Sequence, residues 1–342
     1  DSGYLAANWA LFRAQKRLAE VAERHGMRLS LFHGKGGTID RGGGMSYRSL
    51  QAQPFAAPGG CIRITEQGEV ISLKYANPEI AQRNLEQLVA SVLDAHLLHP
   101  RRGPGKAEIA EWERYAEELA EAGRRFYRDL VYETPDFPRY FWQATPIDLI
   151  EQLRLGSRPS RRYQAADLEA LRAIPWVFAW TQSRHFLPSW YGLGYALERF
   201  VSDHAPGGLE PLQGMYRGWP FFAVLLDNAE MSLAKTDLYI ARRYAELVHP
   251  RRLRQRIFGR IEEEYHRTVR LVLQICGIGQ LLQRQPVLAE SIRLRNPYVD
   301  PLNYLQIRFL ERWRRSRRPD PGLLHLLQIT VGGIAFGMKS TG

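Results

Sequence analysis

From about residue 189 to the end, apolar residues return at helical spacing almost without pause, in stretches at 221–247, 251–275, 298–316 and 321–335. The pattern breaks where proline and glycine gather: Ala205-Pro-Gly-Gly208, His249-Pro250 and Arg318-Pro-Asp-Pro-Gly322. A chain patterned this way must bury helix against helix. The first 180 residues are more mixed. Helices are expected over 4–25, stopped by Gly26, and over 77–98 and 106–132, with the turn-rich His99–Gly105 between the last two. Short strand-like pieces stand at Arg28–His33, Cys61–Thr65, Val70–Lys74 and Ile174–Trp180. The expected class is mainly α with a few short strands, which read as the later part of an αβ barrel whose earlier strands lie elsewhere. Two regions follow: 1–180, holding those strands, and a helical 181–342.

With 45% hydrophobic and 24% charged residues, the 342-residue chain is composed like a packed globular protein. Two cysteines, Cys61 and Cys276, stand outside any metal-ligand spacing, which fits a reducing cytoplasm. No apolar run is read as a membrane span. The first residues carry neither an initiator methionine nor a signal pattern, as if the chain were cut from something longer. The formal charge of +11 is carried by 41 arginines against six lysines. Arginines with acidic neighbours, as in Arg260–Arg267 and Glu311–Arg314, read as solvated helix faces rather than as a nucleic-acid surface.

The segment Leu31–Gly44 does not read as core. Six glycines fall in the eleven positions from Gly34, with Lys35 and Arg41 between them. Glycines let backbone amides approach an anion, and the cations supply charge where a phosphate or carboxylate would sit. The segment is neither a Walker loop nor a dinucleotide fingerprint. The alternative is a plain surface loop. A second basic set comprises Arg158, Arg161, Arg162 and Arg172, the last directly before the apolar run 173–180. A charge at the mouth of a buried strand needs an anionic partner, either a ligand or a structural salt bridge to Glu151 or Asp167. His33 and the carboxylate pairs Glu66/Glu69 and Asp227/Glu230 carry no spacing that singles out acid–base work.

Several segments together resemble the phosphoenolpyruvate carboxylase family. They are Phe32–Gly44, Thr65–Glu69 with Lys74-Tyr75, Gly156–Pro159, Leu171–Gln182, Trp219–Phe222, Leu294–Asn296 with Asp300–Asn303, and the tail Gly337–Gly342. Order and spacing agree along the whole chain, placing it at the carboxyl-terminal part of a much longer, usually tetrameric enzyme. The resemblance implies that phosphoenolpyruvate and bicarbonate give oxaloacetate and phosphate with a magnesium or manganese ion. The catalytic histidine and both metal-binding carboxylates would lie upstream of Asp1.

Carried over by position, Lys35 and Arg172 match arginines that hold the substrate phosphate, beside Gly36 and Gly37. Arg158 matches one near the substrate carboxylate, and Arg41 the arginine of a closing lid. Lys235, Arg295, Arg41 and Ser340 match an inhibitor site for aspartate or malate. The family has arginine where Lys35 stands, usually glycine at Asp40, and usually asparagine at Ser340. None of these residues is expected to bind a metal. The resemblance points to a carboxy-lyase piece inactive by itself, or else to a dicarboxylate-binding regulatory and assembly module.

Overall fold

The computed structural model describes residues 2–34, 52, 61–65, 68–97, 104–153, 160–162, 168–316 and 320–339. In chain order these form α1 (Tyr4–Arg24), β1 (Ser30–Gly34), β2 (Cys61–Thr65), α2 (Gly68–Tyr75), α3 (Pro78–Leu97), α4 (Lys106–Val131), α5 (Phe137–Ala144) and α6 (Ile147–Ile150). After α7 (Ala173–Gln182) and a short 3₁₀ turn at Leu187–Ser189 come α8 (Leu193–Asp203), α9 (Leu209–Gly218), α10 (Pro220–Lys235), α11 (Leu238–Ala245), α12 (Arg251–Cys276), α13 (Pro286–Arg315) and α14 (Pro321–Met338).

β1 and β2 pair in parallel, Ser30 opposite Cys61 through Gly34 opposite Thr65. A parallel pair cannot be closed by a tight hairpin, and the sequence between β1 and β2 contains the glycine-rich segment. This pair is the only sheet among the described residues, so the fold they show is mainly helical, without a barrel.

Two other strand expectations are corrected. Val70–Lys74 lies inside α2 and Ile174–Trp180 inside α7. A continuous apolar run does not distinguish a buried strand from a buried helix. In α7, Pro175 sits in the first turn, where its missing N–H is harmless. Trp176 and Trp180, one helical turn apart, meet edge to face at 5.6 Å and pack with Phe137 and Phe141 of α5.

The stretch 221–247 is two helices rather than one. Thr236 and Asp237 are extended, and the Asp237 carboxylate accepts the Ile240 N–H at 2.9 Å, capping α11. α13 begins twelve residues before its expected start at 298 and runs through Pro297 and Pro301. Tertiary packing against α14 outweighs the hydrogen bonds those prolines remove.

α10 is buried along nearly its whole length, from Phe221 to Lys235, and forms the middle of the bundle. One apolar cluster runs continuously from Leu5 to Met338. The faces are pinned by polar groups as well. Gln182, Tyr244, Asn303, Gln306 and Thr330 form a buried network joining α7, α11, α13 and α14, with Tyr244 donating to Gln306 at 2.7 Å. Arg314 reaches Asp148 through two 2.9 Å bonds and also donates to the carbonyls of Trp142, Gln143 and Thr145. The reading of Glu311–Arg314 as a solvated face therefore fails at Arg314, which ties the end of α13 to α5 and α6. The reading of Arg260–Arg267 fails likewise at Glu264, which is fully buried.

The reading that no run suits a membrane is also corrected: α14 is long and apolar enough to cross one. Its buried residues, Leu323, Leu327, Thr330, Val331, Ile334 and Met338, recur at helical spacing along the face that meets α13.

Candidate functional site

The basic set at 158–172 is organised by a short antiparallel contact. Arg161 bridges to Leu171, the Arg162 N–H donates to Ala170 at 2.7 Å, and the Arg172 N–H donates to Ser160 at 3.0 Å. Arg161 and Arg162 are thus held beside Arg172. Arg161 forms a 2.6 Å ion pair with Glu151 and lies over the Trp142 ring. The salt bridge to Glu151 thus exists, and Arg161 makes it. Partial burial raises the Glu151 carboxyl above its ordinary range, with Arg161 opposing the shift.

Arg172 is placed differently. It is the residue capping α7, so its charge stands at a helix amino terminus, where the backbone dipole favours anions and not cations. Its Nε is buried and finds no hydrogen-bond acceptor among the described residues. A guanidinium in that position is suited to an anion that would meet both it and the amino-terminal amides of α7. Lys35, Gly36, Gly37, Asp40, Arg41 and Arg158 lie outside the described residues, as does Ser340.

At the other end of α7 a second basic region forms. Lys235, the last residue of α10, is 4% exposed although it is a cation. Arg295 is half-buried on α13, donating from Nε to Ser291 at 2.8 Å and from Nη1 to the carbonyl of Gly337 near the end of α14. Arg184, only 1% exposed and left-handed at φ 59°, reaches the backbone of Lys235 and the neighbour of Arg295 on α13. Its Nε donates to the Lys235 carbonyl at 3.3 Å, Nη1 to Asp300 at 2.8 Å and Nη2 to Asn296 at 3.4 Å. These bonds tie the end of α10 to α13, and α13 to the end of α14. Burial raises the Asp300 carboxyl, and Arg184 counteracts it.

Arg184 was missed in the sequence. It stands just past the tail of the apolar run whose head is Arg172, and a charge in either place needs an anionic partner. Its neighbour His185 is enclosed by Ser183, Tyr140 and Trp180, and burial lowers its pKa to about 3, leaving it neutral. The carboxylates Asp227 and Glu230 serve structure: Asp227 accepts from Tyr216 at 2.8 Å, and Glu230 accepts the Leu282 N–H. Among the described residues no three His, Cys, Asp or Glu side chains converge to hold a metal ion.

Fold and site together define a mainly helical chain that gathers arginine and lysine at the ends of buried helices. The chain matches the phosphoenolpyruvate carboxylase family over residues 1–342 and belongs to that family. It is 48% identical to the phosphoenolpyruvate carboxylase of Bradyrhizobium diazoefficiens, over all of this chain and 36% of that protein. Its identity is 47% to the one from Rhodopseudomonas palustris, over 36% of that protein, and 48% to the one from Aromatoleum aromaticum, over 37%. The chain thus spans little more than a third of the length of these relatives.

Proposed function

We propose that this chain forms the carboxyl-terminal part of a phosphoenolpyruvate carboxylase, supplying phosphate-holding residues at one end of α7 and a dicarboxylate inhibitor site at the other. The parent enzyme would convert phosphoenolpyruvate and bicarbonate to oxaloacetate and phosphate in the cytoplasm, as a tetramer. β1 and β2 would be two strands of its barrel, with the glycine-rich segment at their carboxyl end, where barrel enzymes place their sites. The observation that carries the reading is the buried Nε of Arg172, without an acceptor among the described residues, at the amino terminus of α7.

In this reading Arg172 and Lys35 bind the phosphate, assisted by the amides of Gly36 and Gly37, and Arg158 orients the substrate carboxylate. Arg41 closes over both and excludes water, which would otherwise quench the reactive intermediates. Magnesium or manganese would supply the charge that stabilises the enolate. By the family resemblance, its ligands and the catalytic histidine belong to the remainder of the parent enzyme. For the same reason the 342 residues alone should form no oxaloacetate from phosphoenolpyruvate and bicarbonate; sustained bicarbonate-dependent turnover by them would refute this assignment.

The phosphate role is tested by calorimetric titration of phosphoenolpyruvate into the chain. Arg172→Met should weaken binding by tenfold or more, on the order of one or two charged hydrogen bonds. Arg161→Met, whose partner is Glu151, should leave the affinity near that of the parent chain. Unchanged affinity in Arg172→Met would overturn the role. A regulatory reading without catalysis is supported by the tie between the end of α10, which carries Lys235, and α13, which carries Arg295, and it shares the inhibitor site with the first.

A further inference from the structure

We infer that Arg184 is the positioning residue of the dicarboxylate site, setting the separation of Lys235 and Arg295 and through it the preference for two carboxylates over one. The inference rests on the reading of that site given above. Arg184 is buried, and each guanidinium nitrogen is used: Nε on the Lys235 carbonyl, Nη1 on Asp300 and Nη2 on Asn296. Lys235 ends α10, and Asn296 is the residue after Arg295 on α13, so one planar side chain spans the two cation-bearing helices. The backbone is fixed at the same point, because the Arg184 carbonyl accepts the Asp237 N–H at 3.1 Å, holding the turn between α10 and α11. α13 is held from its other side by the bond from Arg295 to Gly337.

A ligand with two carboxylates is recognised by the distance between two cations. A ligand with one carboxylate is not sensitive to that distance. A fork of fixed geometry can hold such a spacing, whereas an ammonium on a flexible stem cannot.

The test uses the full chain with malate and with lactate, which lacks one of malate's carboxylates. Affinities are measured by calorimetry beside thermal midpoints for the parent chain, Arg184→Lys and Asn296→Ala. The second variant breaks one tether without leaving Asp300 unpaired and keeps the test intact should Arg184→Lys fail to fold. Both substitutions are expected to lower the malate-to-lactate affinity ratio about tenfold, the size of one charged hydrogen bond, with lactate affinity little changed. Equal losses for both ligands in step with the thermal midpoint would show a merely structural arginine, and an unchanged ratio would overturn the inference too. If the parent chain binds neither ligand, the dicarboxylate site itself is refuted, which is a different result from a parent that discriminates and variants that still do.

Discussion

Glu264 shows how much a single side chain can be shaped by its surroundings. It is fully buried on α12, and its Oε1 accepts the N–H groups of Gly192 and Tyr195 at 3.0 Å each, closing the start of α8. Arg267 pairs with it at 2.6 Å. Burial outweighs these contacts and raises the carboxyl to about 7. The native state therefore holds a proton between pH 4.5 and 7 that the unfolded chain has released. Stability from this group is complete below pH 4.5 and is lost as pH rises through 7. In Glu264→Gln the titration is absent, so denaturant unfolding should show the parent chain losing stability relative to the variant across that window. A difference that stays constant with pH would contradict the assignment. Nothing in the segment Arg260–Arg267 distinguished Glu264 from its solvated neighbours Glu262 and Glu263 beforehand. Burial of one of three consecutive glutamates is decided by what α8 places opposite it.

Among the elements, α13 and α14 make the closest contact. A methyl group at Gly337 would overlap the Val299 side chain, and one at Gly333 would stand 2.6 Å from Leu302 Cδ1. Gly337→Ala should therefore cost about 1–3 kcal/mol of stability, the usual price of overpacking. Urea unfolding measures this, and a loss under about 0.5 kcal/mol would mean that the helices separate easily. The same substitution should shift the Gly337 carbonyl that Arg295 uses, so it also bears on the proposed dicarboxylate site. α7 has a different task. With ten residues it is roughly 15 Å long, with Arg172 at its head and Arg184 two residues past its end. It is buried among α5, α6 and α14 and thus links the proposed phosphate and inhibitor regions as one rigid piece.

For the molecule as a whole, that link and the proposed sharing of Arg41 predict antagonism between phosphoenolpyruvate and aspartate. Binding linkage requires that each ligand weaken the other by the same factor, typically five- to 150-fold for couplings of this kind. Titrating phosphoenolpyruvate at rising aspartate, and aspartate at rising phosphoenolpyruvate, measures both factors. Independent binding of the two ligands would remove Arg41 from the inhibitor site.

Most helices were legible as sequence, because a 3.6-residue apolar pattern and proline or glycine stops are local features: α1, α3, α4, α12 and the two strands fall close to their expected bounds. β1 was legible from its own pattern, and the family from the resemblance of several segments in order. What only the tertiary structure decided concerns runs that are apolar throughout or charged throughout. α2 and α7 are helices because of what packs around them, and α13 continues past two prolines because α14 holds it. Arg161 takes Glu151 while the Nε of Arg172 is left without an acceptor among the described residues. Arg184 joins α10 to α13 across more than one hundred residues of chain. Local patterning fixes a segment's conformation through neighbours a few residues away. The partner of a buried charge comes from distant parts of the chain, and only the assembled fold determines which one it meets.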